Sequence, residues 1–73
     1  MSLNKSTFEK MLKQAKYQFI LKTDRFIYFI PLTGNTCYTD ESFVAHNETN
    51  KNIEIVDYKE IKSAVVDGVK YNF

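Results

Sequence analysis

The chain has 73 residues, 44% hydrophobic and 26% charged, with ten Lys+Arg against nine Asp+Glu. That length allows a single domain, residues 1–73, whose core is close to the smallest that folds alone, and the apolar content excludes a disordered chain. The lone Cys37 excludes an internal disulfide framework and a Cys-based zinc site, and a net charge of +1 excludes a strongly basic nucleic-acid binder.

The charge is unevenly spread. Residues 1–22 carry five Lys and one Glu, whereas residues 23–73 carry five bases and eight acids, so a basic N-terminal element rides on a mildly acidic body. Residues 1–5 are expected to be disordered or an expression scar, and Met1-Ser2-Leu3 carries no functional weight. Ser6-Thr7-Phe8-Glu9 has the form of a capping box, and Phe8, Met11, Leu12 and Ala15 recur at i, i+3, i+4 and i+7. The spacing predicts an amphipathic helix over about residues 7–16, with Lys16 near its C-terminal end where the dipole favours a cation.

After Lys16 the period changes to two. Tyr17, Phe19 and Leu21 share one face against Gln18 and Lys22, with Ile20 breaking the polar side. Thr23-Asp24-Arg25 reads as a turn. Phe26 to Leu32 is apolar on both faces: Phe26, Tyr28, Ile30 and Leu32 on one, Ile27 and Phe29 on the other. One helix is too small to cover both sides of the sheet, so Ile27 and Phe29 are the expected interface residues of a self-associating chain. Pro31 belongs at an edge or strand end.

Thr33-Gly34-Asn35-Thr36 is the next turn, followed by a weak strand at Cys37-Tyr38, an acidic patch at Asp40-Glu41 and a strand at Phe43-Val-Ala-His46. Glu48 to Asn52 is a polar loop. Ile53 to Asp57 resumes period two, Tyr58-Lys59-Glu60 is a short helical turn, and Ile61 to Val66 forms a strand. Asp67-Gly68 between alternating flanks is a type I′ hairpin signal, returning into Val69-Lys-Tyr71-Asn-Phe73. The expected fold is α+β: an N-terminal amphipathic helix packed on a small, strongly bent antiparallel sheet or barrel of five to six strands.

Chemistry-bearing patterns are few. His46 is the only histidine, and a Cys–His nucleophile would require Cys37 and His46 to meet across strands. Asp40, Glu41 and Glu48 lie in polar segments that collect acids for solubility. Neither a phosphate loop nor a zincin or Ca²⁺-loop motif occurs. The chain therefore reads as a non-enzyme without catalytic residues, cofactor, metal or small-molecule substrate; a small hydrolase is the remotest alternative. Six Phe and five Tyr exceed what a minimal core requires, and surface aromatics serve protein interfaces or stack on nucleic-acid bases. The longest apolar run is far short of a membrane span, and the N-terminus lacks a signal-peptide apolar region, so a cytoplasmic protein with no membrane association is expected.

Leu32-Thr-Gly34, then Asp40, then Phe43-Val44, with the later segment Val56-Asp-Tyr58-Lys59-Glu-Ile61-Lys-Ser-Ala-Val65-Val66, resembles the Sm-like fold of bacterial Hfq-type RNA chaperones. The order helix, bent strands, helical turn and final strand is similar too. The resemblance implies a homo-oligomeric ring whose RNA-binding residues are Phe43, Tyr58 and Lys59. Ser42 is an extra residue relative to that pattern, Glu60 stands where the family has a His, and the Asp67-Gly68 hairpin adds a strand. The leading expectation is a small protein-interaction or regulatory module, with a protein partner or a second copy of itself; the alternative is an Sm-like single-stranded RNA binder.

Overall fold

Asn4, not Ser6, starts the helix. Its backbone is extended, and its side-chain carbonyl accepts a hydrogen bond from the Thr7 N–H at 2.9 Å, so α1 spans Lys5–Gln14. The sequence signal lies two residues too late because Asn is as good a cap as Ser, and the competing capping box is not used. Ser6 is instead an exposed residue of the first turn, and Lys16 lies beyond the helix. Leu3, just ahead of the cap, is buried in the core, so this end of the chain is tied down by packing.

The computed structural model describes residues 2–32 and 36–73. The strands are β1 (Phe19–Lys22), β2 (Ile27–Phe29), β3 (Ser42–Asn47), β4 (Ile53–Asp57), β5 (Ser63–Val66) and β6 (Val69–Asn72). They form one antiparallel sheet in the order β4-β3-β2-β1-β5-β6, not closed into a barrel. Cys37-Tyr38 contributes only an isolated bridge from Tyr38 to Phe43, and most of the Thr33–Thr36 turn lies outside the described residues.

One connection forces the sheet to bend. β4 and β5 are consecutive in the chain, yet three strands stand between them, so a flat sheet would set them about 19 Å apart sideways, with Asp57 and Ser63 a further ~20 Å apart along the strands. A 3-10 turn at Tyr58–Glu60 shortens the link from Asp57 to Ser63 to about 16 Å. The sheet must curl toward α1 for the chain to close that gap. Lys62 then anchors the arrival, donating its N–H to the Lys22 carbonyl at 2.7 Å.

The core lies between α1 and the concave side of this curl. Phe8 is its centre, fully buried, with the rings of Phe43, Tyr38, Tyr58 and Phe19 at centroid distances of 4.9, 5.4, 5.4 and 5.5 Å. Such ring pairs add about 0.5–1.5 kcal/mol each beyond area burial. Leu21, Tyr28, Ala45, Val56, Ala64 and Val66 complete it from the strands, with Ile30 just past β2 and Ile61 just after the 3-10 turn.

A single carboxylate ties the segment after α1 to the last hairpin. Asp67, in the left-handed region at φ 50°, begins the hairpin turn with Gly68 at φ 86°. Its carboxylate accepts hydrogen bonds from the N–H groups of Lys16, Tyr17 and Gln18 at 2.7 to 3.1 Å. These bonds, Tyr17's foremost, hold its carboxyl below the usual aspartate value. The wrap around Asp67 also explains Tyr17. The chain bends there, strand alternation starts only with Phe19, and Tyr17 is exposed instead of joining Phe19 and Leu21.

Candidate functional site

The strand registers define the face that α1 leaves open. Residues facing one another across the strands run Ile53, His46, Phe29, Ile20, Val65 and Lys70, one from each strand in spatial order. Ile55 and Val44 form the start of the next row, and Ile27 stands on the other side of Phe29. Five of the six central positions are apolar or aromatic-ring residues, in a row a charged side chain enters only at Lys70.

Their exposure is uneven. Ile53 and Ile55 project from β4 at 65% and 76% exposed, and Ile27 and Tyr17 are 41% and 87% exposed. Ile20, Phe29, Val44, His46 and Val65 are half-buried. Phe29 and His46 stack across β2 and β3, with centroids 5.0 Å apart and planes 20° apart. Beside this stack lies an open depression of about 620 Å³ whose walls include Tyr17, Ile20, Ile27, Phe29 and Pro31. Ile27 and Phe29 thus lie on the uncovered side of β2, opposite Tyr28 and Ile30 in the core.

Sequence reading had no means of finding Ile53 and Ile55. Alternation in Ile53-Glu54-Ile55-Val56-Asp57 fits two opposite registers, and the simpler one buries both isoleucines. The structure turns Glu54 inward instead. Its carboxylate accepts from the Tyr28 hydroxyl at 3.2 Å and from the side-chain amides of Asn50 and Asn47 at 3.0 and 3.5 Å. The Asn50 bond leads in holding this carboxyl below its ordinary value, while burial and then Glu54 raise the Tyr28 hydroxyl. Asn47, wholly buried, also accepts from the Thr49 and Asn50 N–H groups and so shapes the loop into β4. This polar network selects the register that sends Ile53 and Ile55 outward.

The other candidate residues are dispersed. Phe43 is buried against Phe8, and Tyr58 is buried with its hydroxyl donating to the Thr39 carbonyl at 2.7 Å. Burial pushes that hydroxyl up to about 12. Lys59 is exposed, in a notch that also holds Arg25, Lys62, Asp24 and Glu60. Cys37 is exposed, whereas His46 is occupied by Phe29. Asp40 pairs with Lys5 at 3.1 Å and Glu48 with Lys51 at 3.2 Å, so these acids form separate surface pairs. Among the described residues no helix is long and apolar enough to cross a membrane. Searches of protein-family models, curated proteins and solved structures find no match to this chain.

Proposed function

We propose that the chain is a non-catalytic protein-interaction module that self-associates through the helix-free face of its sheet. The observation that carries this reading is the continuous row from Ile53 to Val65, apolar but for the His46 imidazole, with Ile55 and Ile27 beside it. A contiguous apolar face of this kind on a small domain is an association surface. The sheet edges are poorer candidates: β4 points Glu54 inward, and β6 is four residues long with Lys70 on it, both common protections against edge pairing. The setting we assign is cytoplasmic, where the exposed Cys37 stays a thiol.

Equilibrium sedimentation tests the reading. The expected result at micromolar concentration is a mass above 8.6 kDa that rises with concentration, and a constant 8.6 kDa overturns it.

A second reading, Sm-like binding of single-stranded RNA, is favoured by the element order and by the exposed Lys59 beside Arg25 and Lys62. Phe43 and Tyr58 have no free ring face to offer a base in this fold. Retention on oligo-uridine that falls steeply with salt and is lost on Lys59→Ala supports that reading; no retention at ~150 mM salt removes it.

A further inference from the structure

His46 stands within the helix-free face, between its two apolar flanks. It lies opposite Phe29 of β2 on one side and Ile53 of β4 on the other, half-buried, with its ring stacked on Phe29 at a centroid distance of 5.0 Å. Phe29 also walls the depression over β1 and β2, while Ile53 is 65% exposed on the other flank. The face is convex, since the sheet curls toward α1, yet a second copy settling on either flank meets this imidazole. Few charges surround it. β2 presents Ile27 and Phe29, β4 presents Ile53 and Ile55, and β3 itself presents Val44 and, just past its end, Glu48. Glu48 donates its N–H to the Ile27 carbonyl, and its carboxylate pairs with Lys51 at 3.2 Å. Lys22 of β1 lies opposite Ile27 from the other side, and Lys70 is on the far edge strand, β6.

We infer that His46 is a pH-sensitive switch on this face: neutral, it is covered by a second copy of the chain, and protonated, it drives the copies apart. A second copy is the occupant that the charges favour. A patch rich in one sign repels its own twin. This one holds an imidazole among apolar side chains and, at its margin, charges of both signs: Lys22 on one side of Ile27 and the Glu48–Lys51 pair on the other. Protonation ends that tolerance. In the free chain an imidazolium keeps water on its open side and the Phe29 ring face, which attracts a cation, on the other. Between two copies that water is stripped away, and each copy brings one imidazolium to the same contact. Histidine is the side chain whose charge ordinarily changes between about pH 5 and 8, whereas carboxylates and ammonium groups keep theirs from ~5.5 to ~7.5. One histidine excluded from a contact while charged weakens that contact about tenfold a unit below its titration midpoint, and two weaken it about a hundredfold.

This switch rests on the self-association proposed above, and sedimentation equilibrium of the full chain at pH ~7.5 and ~5.5 separates their failures. The wild-type association constant should fall at least about tenfold at the lower pH. His46→Phe, which keeps a ring against Phe29, should associate equally at both. A wild-type constant that does not change with pH, or a fall that persists in His46→Phe, overturns the switch and leaves self-association standing. A wild-type chain that stays monomeric at both pH values overturns both. The second measurement follows the imidazole proton resonances, which belong to His46 because it is the only histidine. Their titration midpoint should lie at least ~0.5 unit lower where the chain is associated than in dilute monomer, and equal midpoints overturn the switch. Should His46→Phe fail to fold, this titration decides.

Discussion

The two faces of the sheet use nearly the same residue types and meet opposite fates. Toward α1 stand Phe19, Leu21, Tyr28, Ile30, Phe43 and Val56, all buried; away from it stand Ile20, Ile27, Phe29, Val44, Ile53 and Ile55, all partly or largely exposed. Adjacent residues of one strand differ only in which way the pleat turns them. Hydrophobicity therefore does not distinguish a core residue from an uncovered one here. The single helix does, because it covers one side only. On the proposed reading, a residue on the inner face acts on folding and a residue on the outer face acts on assembly.

The largest expected effect is on the inner face. Phe8→Ala removes the ring that four other aromatics pack against, and should cost about 3–5 kcal/mol in urea unfolding. That is a large fraction of the roughly 4–11 kcal/mol available to a chain of this length. A loss under ~1 kcal/mol would mean that α1 is not part of the core. The Asp67 carboxylate is next. Its pKa is depressed on folding, so its contribution is present above the ordinary aspartate value and is lost as pH falls toward the lower folded value. Asp67→Asn keeps a residue that tolerates the left-handed turn and removes the charge. The variant should melt lower at neutral pH and show a flatter decline in midpoint through the acid range; unchanged melting at both would show that the three N–H groups do not need the carboxylate.

Smaller still is the cap. Asn4→Ala should cost ~1 kcal/mol, with Ser6→Ala within about ±0.5 kcal/mol. The reverse order, read by chemical denaturation, would restore the Ser6–Glu9 capping box. The smallest change in stability belongs to the outer face: in chain diluted to the monomer, Ile53→Ser should shift unfolding by no more than about 0.5 kcal/mol, although a buried isoleucine so altered would cost several times that. A destabilisation of core size would show that the two faces are energetically alike, and the comparison would fail.

Much of this division could be read from local pattern. The 3.6-residue spacing of Phe8, Met11, Leu12 and Ala15 marks the helix, the apolar doublet pattern from Phe26 to Leu32 marks a strand with two apolar sides, and Asp67-Gly68 marks the final hairpin. Each depends on neighbours a few residues apart, which is the range over which sequence periodicity carries structural information. The helix start is not legible in the sequence because Asn4 and Ser6 both satisfy the capping chemistry, and only the geometry of the first turn chooses between them.

What the sequence by itself determined is the class of element along the chain and the surplus of apolar surface over what one helix can cover. Tertiary structure decided the rest. The position of β5 beside β1, reached by a link too short for a flat sheet, bends the sheet around Phe8 and puts the rings of Phe43 and Tyr58 in the core. The register of β4 was decided by Tyr28, Asn47 and Asn50, which draw Glu54 inward across the sheet and so turn Ile53 and Ile55 out. Period two fixes which residues share a face but not which face is inside; that sign is set here by Tyr28, distant in the chain, together with Asn47 and Asn50 at the near end of the preceding loop, all three meeting Glu54 once β2, β3 and β4 have paired.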